Sequence, residues 1–134
     1  MLFCRRNGYI RSGKRKAKKA KVPRFLAMVA VNRIEEFGRQ IGEKFGAEKV
    51  ILFGSYAQGT ANPESDIDLL VVARTSLPPG ERYGAVRRLL GDFPAGFDII
   101  VETPEEFAQW RKVVNHIVYF ADKYGKVLYE RPRS

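Results

Sequence analysis

The sequence predicts one α/β domain (α+β in some schemes), a mixed sheet with helices packed on it. Three observations lead there. Residues 50–53, 66–72 and 97–101 are short apolar runs bounded by turn residues, the pattern of buried strands. Between and around them, apolar residues recur every three or four positions, the period of an amphipathic helix. A length of 134 residues at 45% apolar content suits one core and not two.

Taken in order, the first element is a helix with Ile34, Phe37, Ile41 and Phe45 on one face. Asn32 is its expected N-cap, with Glu35 three residues on in a variant of the capping box, and Gly46 its stop. Val50 to Phe53 then read as a strand, ended by Gly54-Ser55. Tyr56 to Thr60 predict one or two helical turns, and Asn62-Pro63 a turn. A second strand follows from Asp66. Pro78-Pro79-Gly80 close a loop, after which Glu81 to Leu90 predict a helix. Its expected inward side is Tyr83, Val86, Leu89 and Leu90, with Arg82, Arg87 and Arg88 outward. After a loop at residues 92–96, Phe97 to Val101 give a third strand. Thr103-Pro104-Glu105-Glu106 is a helix start: Thr caps, Pro suits the first turn and Glu106 completes a capping box. One helix carrying Phe107, Trp110, Val114, Ile117 and Phe120 or Ala121 on a stripe is expected to run to Gly125. Residues 126–130 predict a last strand and residues 131–134 a frayed tail. The pattern of elements alone leaves the strand order open.

The chemistry concentrates in residues 49–72. Side chains alternate across a strand, so Asp66 and Asp68 fall on one face with Cα atoms about 6–7 Å apart. Unpaired carboxylates are too costly for ordinary core, so that face meets solvent, an ion-pair partner or a metal. Two carboxylates facing one way suit a hard cation such as Mg²⁺, which takes one or two of them plus phosphates and waters. The Gly54-Ser55 turn offers backbone N–H groups to an anion, and Gly allows close backbone approach. Ser55 reads either as a phosphate contact or as a turn residue. Asp98, inside the apolar run of the third strand, reads either as a metal ligand or base or as a solvent-facing edge residue, with Asp92 as a weaker competitor in a loop. Trp110 and the lone His116 read as packing or surface residues. A single His without nearby Cys does not make a zinc site.

Gly54-Ser55, ten residues, then Asp66-x-Asp68 resembles the signature of the DNA-polymerase-beta-like nucleotidyltransferase superfamily. At average composition these four positions match by chance in on the order of one chain in a thousand of this size. Among its members the chain is most similar to the minimal nucleotidyltransferases, over roughly residues 34–130. The resemblance implies the polymerase-beta-like palm fold, with Asp66, Asp68 and Asp98 as catalytic and metal-binding acids. It also implies Gly54, Ser55, Gln58 and Ser65 as the nucleotide-binding set, two Mg²⁺ ions and ATP as substrate. In relatives the residue matching Gln58 is often Arg. The acceptor implied is a tyrosine of a HEPN-domain partner toxin, which makes the chain an antitoxin. The competing class is a binding module that neutralises its partner by docking.

Charge is unevenly spread. The chain carries +9 at neutral pH, yet residues 1–24 hold ten Lys/Arg and no acid, leaving the other 110 residues at −1. Residues 1–27 are therefore expected to be a basic, disordered arm, with residues 28–134 as the nucleotidyltransferase domain. Such an arm is a candidate for meeting nucleic acid through residues 5–24. Met28 is also a plausible alternative start. No apolar stretch follows the charges as in a secretory signal, and none is long enough to span a membrane. One cysteine, Cys4, makes no internal disulfide, which fits a reducing cytoplasm.

Overall fold

The structure, a computed structural model, describes residues 29–93 and 95–132. The expected arm at residues 1–27 lies outside the described residues. Among the latter are five helices and four strands: α1 (Val31–Phe45), β1 (Lys49–Phe53), α2 (Gly54–Gln58), β2 (Ile67–Val72), α3 (Pro79–Arg88), β3 (Phe97–Glu102), α4 (Pro104–Trp110), α5 (Ile117–Tyr124) and β4 (Lys126–Glu130). The strands form one mixed sheet in the order β3-β2-β1-β4. β1 runs antiparallel to β2 and β4, while β2 and β3 are parallel. Parallel neighbours need a crossover, and α3 supplies it.

The alternation of side chains divides the interior in two. Val50 and Leu52, with Ile67, Leu69 and Val71 and then Phe97, Ile99 and Val101, pack on Ile34, Phe37 and Ile41 of α1 and Val86 of α3. Ile51, Leu70 and Val72 face the other way, against Phe107 of α4 and Val118 and Ala121 of α5. A central strand buried on both faces explains why β2 reads as a continuous apolar run after its aspartate.

Several local expectations change. The N-cap of α1 is Ala30, whose carbonyl accepts from Arg33 N and Ile34 N, so Asn32 lies within the first turn. Gly46 does end the helix in the left-handed conformation, φ 73°. The helix after β3 is two helices. Asn115 has φ 78°, and His116 caps α5 by accepting Val118 N–H at Nδ1. The Trp110 indole stacks on the His116 ring at 4.4 Å between centroids. Val114, expected on the apolar stripe, is 62% exposed in the break. Burial holds the His116 imidazole below its usual pKa, which fits its role as an acceptor.

The orientation of α3 is the largest correction. Arg82 is buried and Tyr83 is 41% exposed, the reverse of their expected sides. Arg82 is the one buried charged side chain among the described residues. Its Nε donates to Leu77 O, and its Nη1 to Val101 O and to Glu106 Oε1 at 2.9 Å. Glu106 also closes the predicted capping box with Thr103. Glu102, at the end of β3, sits beside Glu106. Burial first, then the hydrogen bond and the like charge of Glu106, push its carboxyl up to about 7.

This pair has a definite pH signature. A carboxyl raised in the folded state contributes stability below its unfolded pKa of 4.5, and that contribution disappears as pH rises through about 7. Glu102 is half-buried, so the loss is about 1 kcal/mol after allowance for solvent screening. Glu102→Gln therefore melts several degrees higher than the wild type at pH 8, and within about a degree of it at pH 5. Melting curves across pH 5–8 check this; parallel curves for the two proteins refute it.

Candidate active site

The site is one transverse row of the sheet. In register, Phe53 of β1 pairs with Asp68 of β2, and Asp68 pairs with Asp98 of β3. Paired residues in neighbouring strands point to the same face, with strand axes about 4.8 Å apart. Asp68 and Asp98 are thus side by side at the end of the sheet where β1 turns into α2. They share a face with Leu70 and Ile100 at the edge of the second core, against which Phe53 of the same row packs. Both are half-buried. Asp66 lies one residue before β2, also half-buried, where Ile67 N–H is held by Gly96 O at 2.9 Å. Each of the three aspartates already engages a neighbouring group.

Gly54 is fitted to this row. It has φ 74°, a conformation that favours glycine, and a Cβ there would overlap the Asp68 carboxylate at Oδ2. The sequence offers a glycine for a sharp turn or a close backbone approach; in the structure the group a Cβ there would meet is Asp68. The glycine thereby holds the Gly54-Ser55 turn directly against the acid row. Ser55 follows in the first turn of α2, whose cap Phe53 offers no side-chain bond. Gly59 N–H and Thr60 N–H both return to Ser55 O, closing the short helix.

The remaining expected residues are placed less centrally. Gln58 ends α2 and is exposed. The Ser65 hydroxyl accepts Asn62 N–H at 2.9 Å, and Ser65 N–H donates to Asn62 O. Ser65 therefore shapes the turn before Asp66. Asp92, the competitor to Asp98, is exposed in the loop before β3. The sequence reading passed over Tyr56, whose hydroxyl accepts Val29 N–H at 3.2 Å and anchors the chain entering α1 to α2. No periodicity or spacing marks such a contact.

Among the described residues, no three His, Cys, Asp or Glu side chains form a metal cage by themselves. The donors present are nevertheless of the right chemistry. Adjacent carboxylates supply hard oxygen ligands, and Mg²⁺ characteristically completes its shell with substrate phosphate and water. The residues fit a divalent cation shared with a ligand.

The site is thus a half-buried acid row on a mixed sheet, with a glycine turn packed against it. The nucleotidyltransferase domain family model matches residues 34–127. The chain belongs to that family, and it is a nucleotidyltransferase. It is 33% identical over 108 residues to a candidate protein adenylyltransferase of Methanocaldococcus jannaschii, covering 75% of this chain and 71% of that one. It is 36% identical over 50 residues to the protein adenylyltransferase MntA of Thermococcus cleftensis, covering 34% and 50%. In fold it is similar to a crystallised toxin–antitoxin protein with AMP-PNP, at TM-score 0.55 and 23% identity over 72% of this chain and 73% of that one. It is likewise similar to a nucleotidyltransferase-like structure from Sulfolobus solfataricus, at TM-score 0.51 and 20% identity over 92% and 94%. No helix among the described residues is long and apolar enough to cross a membrane.

Proposed function

We propose that this nucleotidyltransferase moves AMP from ATP onto a hydroxyl of a partner protein, a tyrosine of a HEPN-type toxin, and so acts as an antitoxin. The observation that carries the chemistry is the register pairing of Asp68 with Asp98, with Gly54 packed against Asp68. Support for the acceptor class comes from the relatives named protein adenylyltransferases and from the fold shared with a toxin–antitoxin protein.

The residues divide the work as follows. The N–H groups of the Gly54-Ser55 turn and the Ser55 hydroxyl donate to phosphate oxygens, with Gln58 at the edge. Asp66, Asp68 and Asp98 would hold Mg²⁺, which supplies charge neutralisation on the phosphates when bound. Asp98 lies on the outer strand of the row. Its carboxylate accepts the proton of the acceptor hydroxyl as that oxygen attacks the α-phosphorus in line. The new O–P bond forms as the bond to the bridging oxygen breaks, and pyrophosphate leaves. Most of the rate comes from positioning and electrostatics.

The test is incubation with Mg²⁺ and α-labelled ATP, with and without the product of the neighbouring gene. Label on that protein, lost when its tyrosines are replaced by phenylalanine, is the expected result. A tight complex with no label transferred would instead make the chain a docking module.

A further inference from the structure

We propose that Tyr83 and Arg87 of α3 are positioning residues for nucleotidyl transfer. Together they clamp Phe97 and so set Asp98 beside Asp68, which rests on the reading of Asp98 as a metal-holding acid.

Of the two paired acids, Asp98 has the weaker hold from the sheet. Asp68 lies on β2, which pairs with β1 on one side and β3 on the other. Asp98 is the second residue of β3, an outermost strand that pairs with β2. Strand ends open more readily than strand interiors. Mg²⁺ demands near-ideal octahedral geometry, so a carboxylate that serves it tolerates little displacement.

The crossover helix supplies the further hold. The Tyr83 hydroxyl donates to Phe97 O at 3.2 Å. That carbonyl and the Asp98 N–H belong to one planar peptide unit, so fixing one orients the other. One turn on, the Arg87 guanidinium lies 5.0 Å from the centre of the Phe97 ring. Arg87 also donates to Gly91 O at 2.9 Å and to Phe93 O at 3.3 Å, on the way into β3. Tyr83 and Arg87 are four residues apart and so lie on one side of the helix. The Phe97 ring stands edge-on to Phe37 at 5.4 Å, and Phe97 is buried. The residue directly before Asp98 is thus held at its carbonyl, at its ring face and at its ring edge. Tyr83 itself is 41% exposed, so burial gives little reason for an aromatic ring at that position, whereas the bond to Phe97 O does.

The experiment compares the full chain with Tyr83→Phe, Arg87→Met and the two together, each also made in an Asp98→Asn background. Tyr83→Phe removes one hydroxyl and Arg87→Met keeps an apolar stem, so the fold is retained. Mn²⁺ is the probe in place of Mg²⁺, titrated by electron paramagnetic resonance in the presence of AMP-PNP. Each single change weakens Mn²⁺ binding about threefold and lowers kcat for label transfer about fivefold, with KM for ATP within about twofold. The pair together lowers kcat by about 25-fold. In the Asp98→Asn background the same changes shift Mn²⁺ affinity no further, because the group they position has lost its charge. A merely structural role would lower the melting temperature and weaken Mn²⁺ binding equally in both backgrounds, and that result overturns the inference. So does a folded double variant with wild-type Mn²⁺ affinity and rate. Mn²⁺ affinity unmoved by Asp98→Asn overturns the reading of Asp98 itself, and the clamp's role with it. Absence of label transfer to the neighbouring gene product, alongside the expected Mn²⁺ shifts, supports the clamp and overturns only the acceptor.

Discussion

Asp68→Asn lowers AMP transfer by about 10²–10³-fold or more while the protein stays folded. Asn is nearly isosteric and keeps one oxygen, so packing against Gly54 is preserved, but the negative charge is lost. Asp68 sits between Phe53 and Asp98 in the central row, so no neighbouring residue substitutes for it. The measurement is transfer of label from ATP, paired with a thermal melt. A variant that is fully folded and transfers at the wild-type rate removes the acid row from the mechanism.

Gly54→Ala is expected to damage both stability and transfer. Two effects combine. The residue is held at φ 74°, where a Cβ costs about 1–2 kcal/mol. The added methyl would also occupy the place of the Asp68 carboxylate. Asp68 must move, and with it the spacing between the acid row and the Gly54-Ser55 turn. We expect about 2–3 kcal/mol of lost stability and about 100-fold lower transfer, since small displacements at such sites cost that much. Gly59→Ala is the control. Gly59 has φ 79° but open space around its Cβ position. It should lose only the backbone term, about 1 kcal/mol, and keep transfer within a few-fold. If both variants lose activity alike, backbone strain and not the Asp68 contact explains the glycine. Melting curves beside transfer rates separate the two outcomes.

Much of the fold was legible because its signals are local. The strands at β1, β2, β3 and β4 appear where short apolar runs meet turn residues. The Thr103–Glu106 capping box forms as read, since it needs only residues three apart. The misreadings arose where a distant partner decided the outcome. The sequence predicts Arg82 outward, since a guanidinium is costly to bury. It is buried because Leu77 O, Val101 O and Glu106 converge on it from three separate segments. The apolar residues after Thr103 keep a helical period past the end of α4, so the sequence predicts one long helix. The Asn115 conformation and the His116 cap break it, so that α5 can lie along β1.

The sequence by itself determined that this chain brings a glycine-serine turn and two spaced aspartates into one nucleotidyltransferase domain. These are close in the chain, but strand periodicity covers Asp68 alone, since β2 begins at Ile67, one residue after Asp66. Only the tertiary structure decided that Asp98 stands beside Asp68, that a Cβ at residue 54 would meet the Asp68 carboxylate, and that Val29 N–H bonds the Tyr56 hydroxyl. Each of these depends on strand order and register. Those are set by which faces bury together, and no local pattern in one segment carries that information.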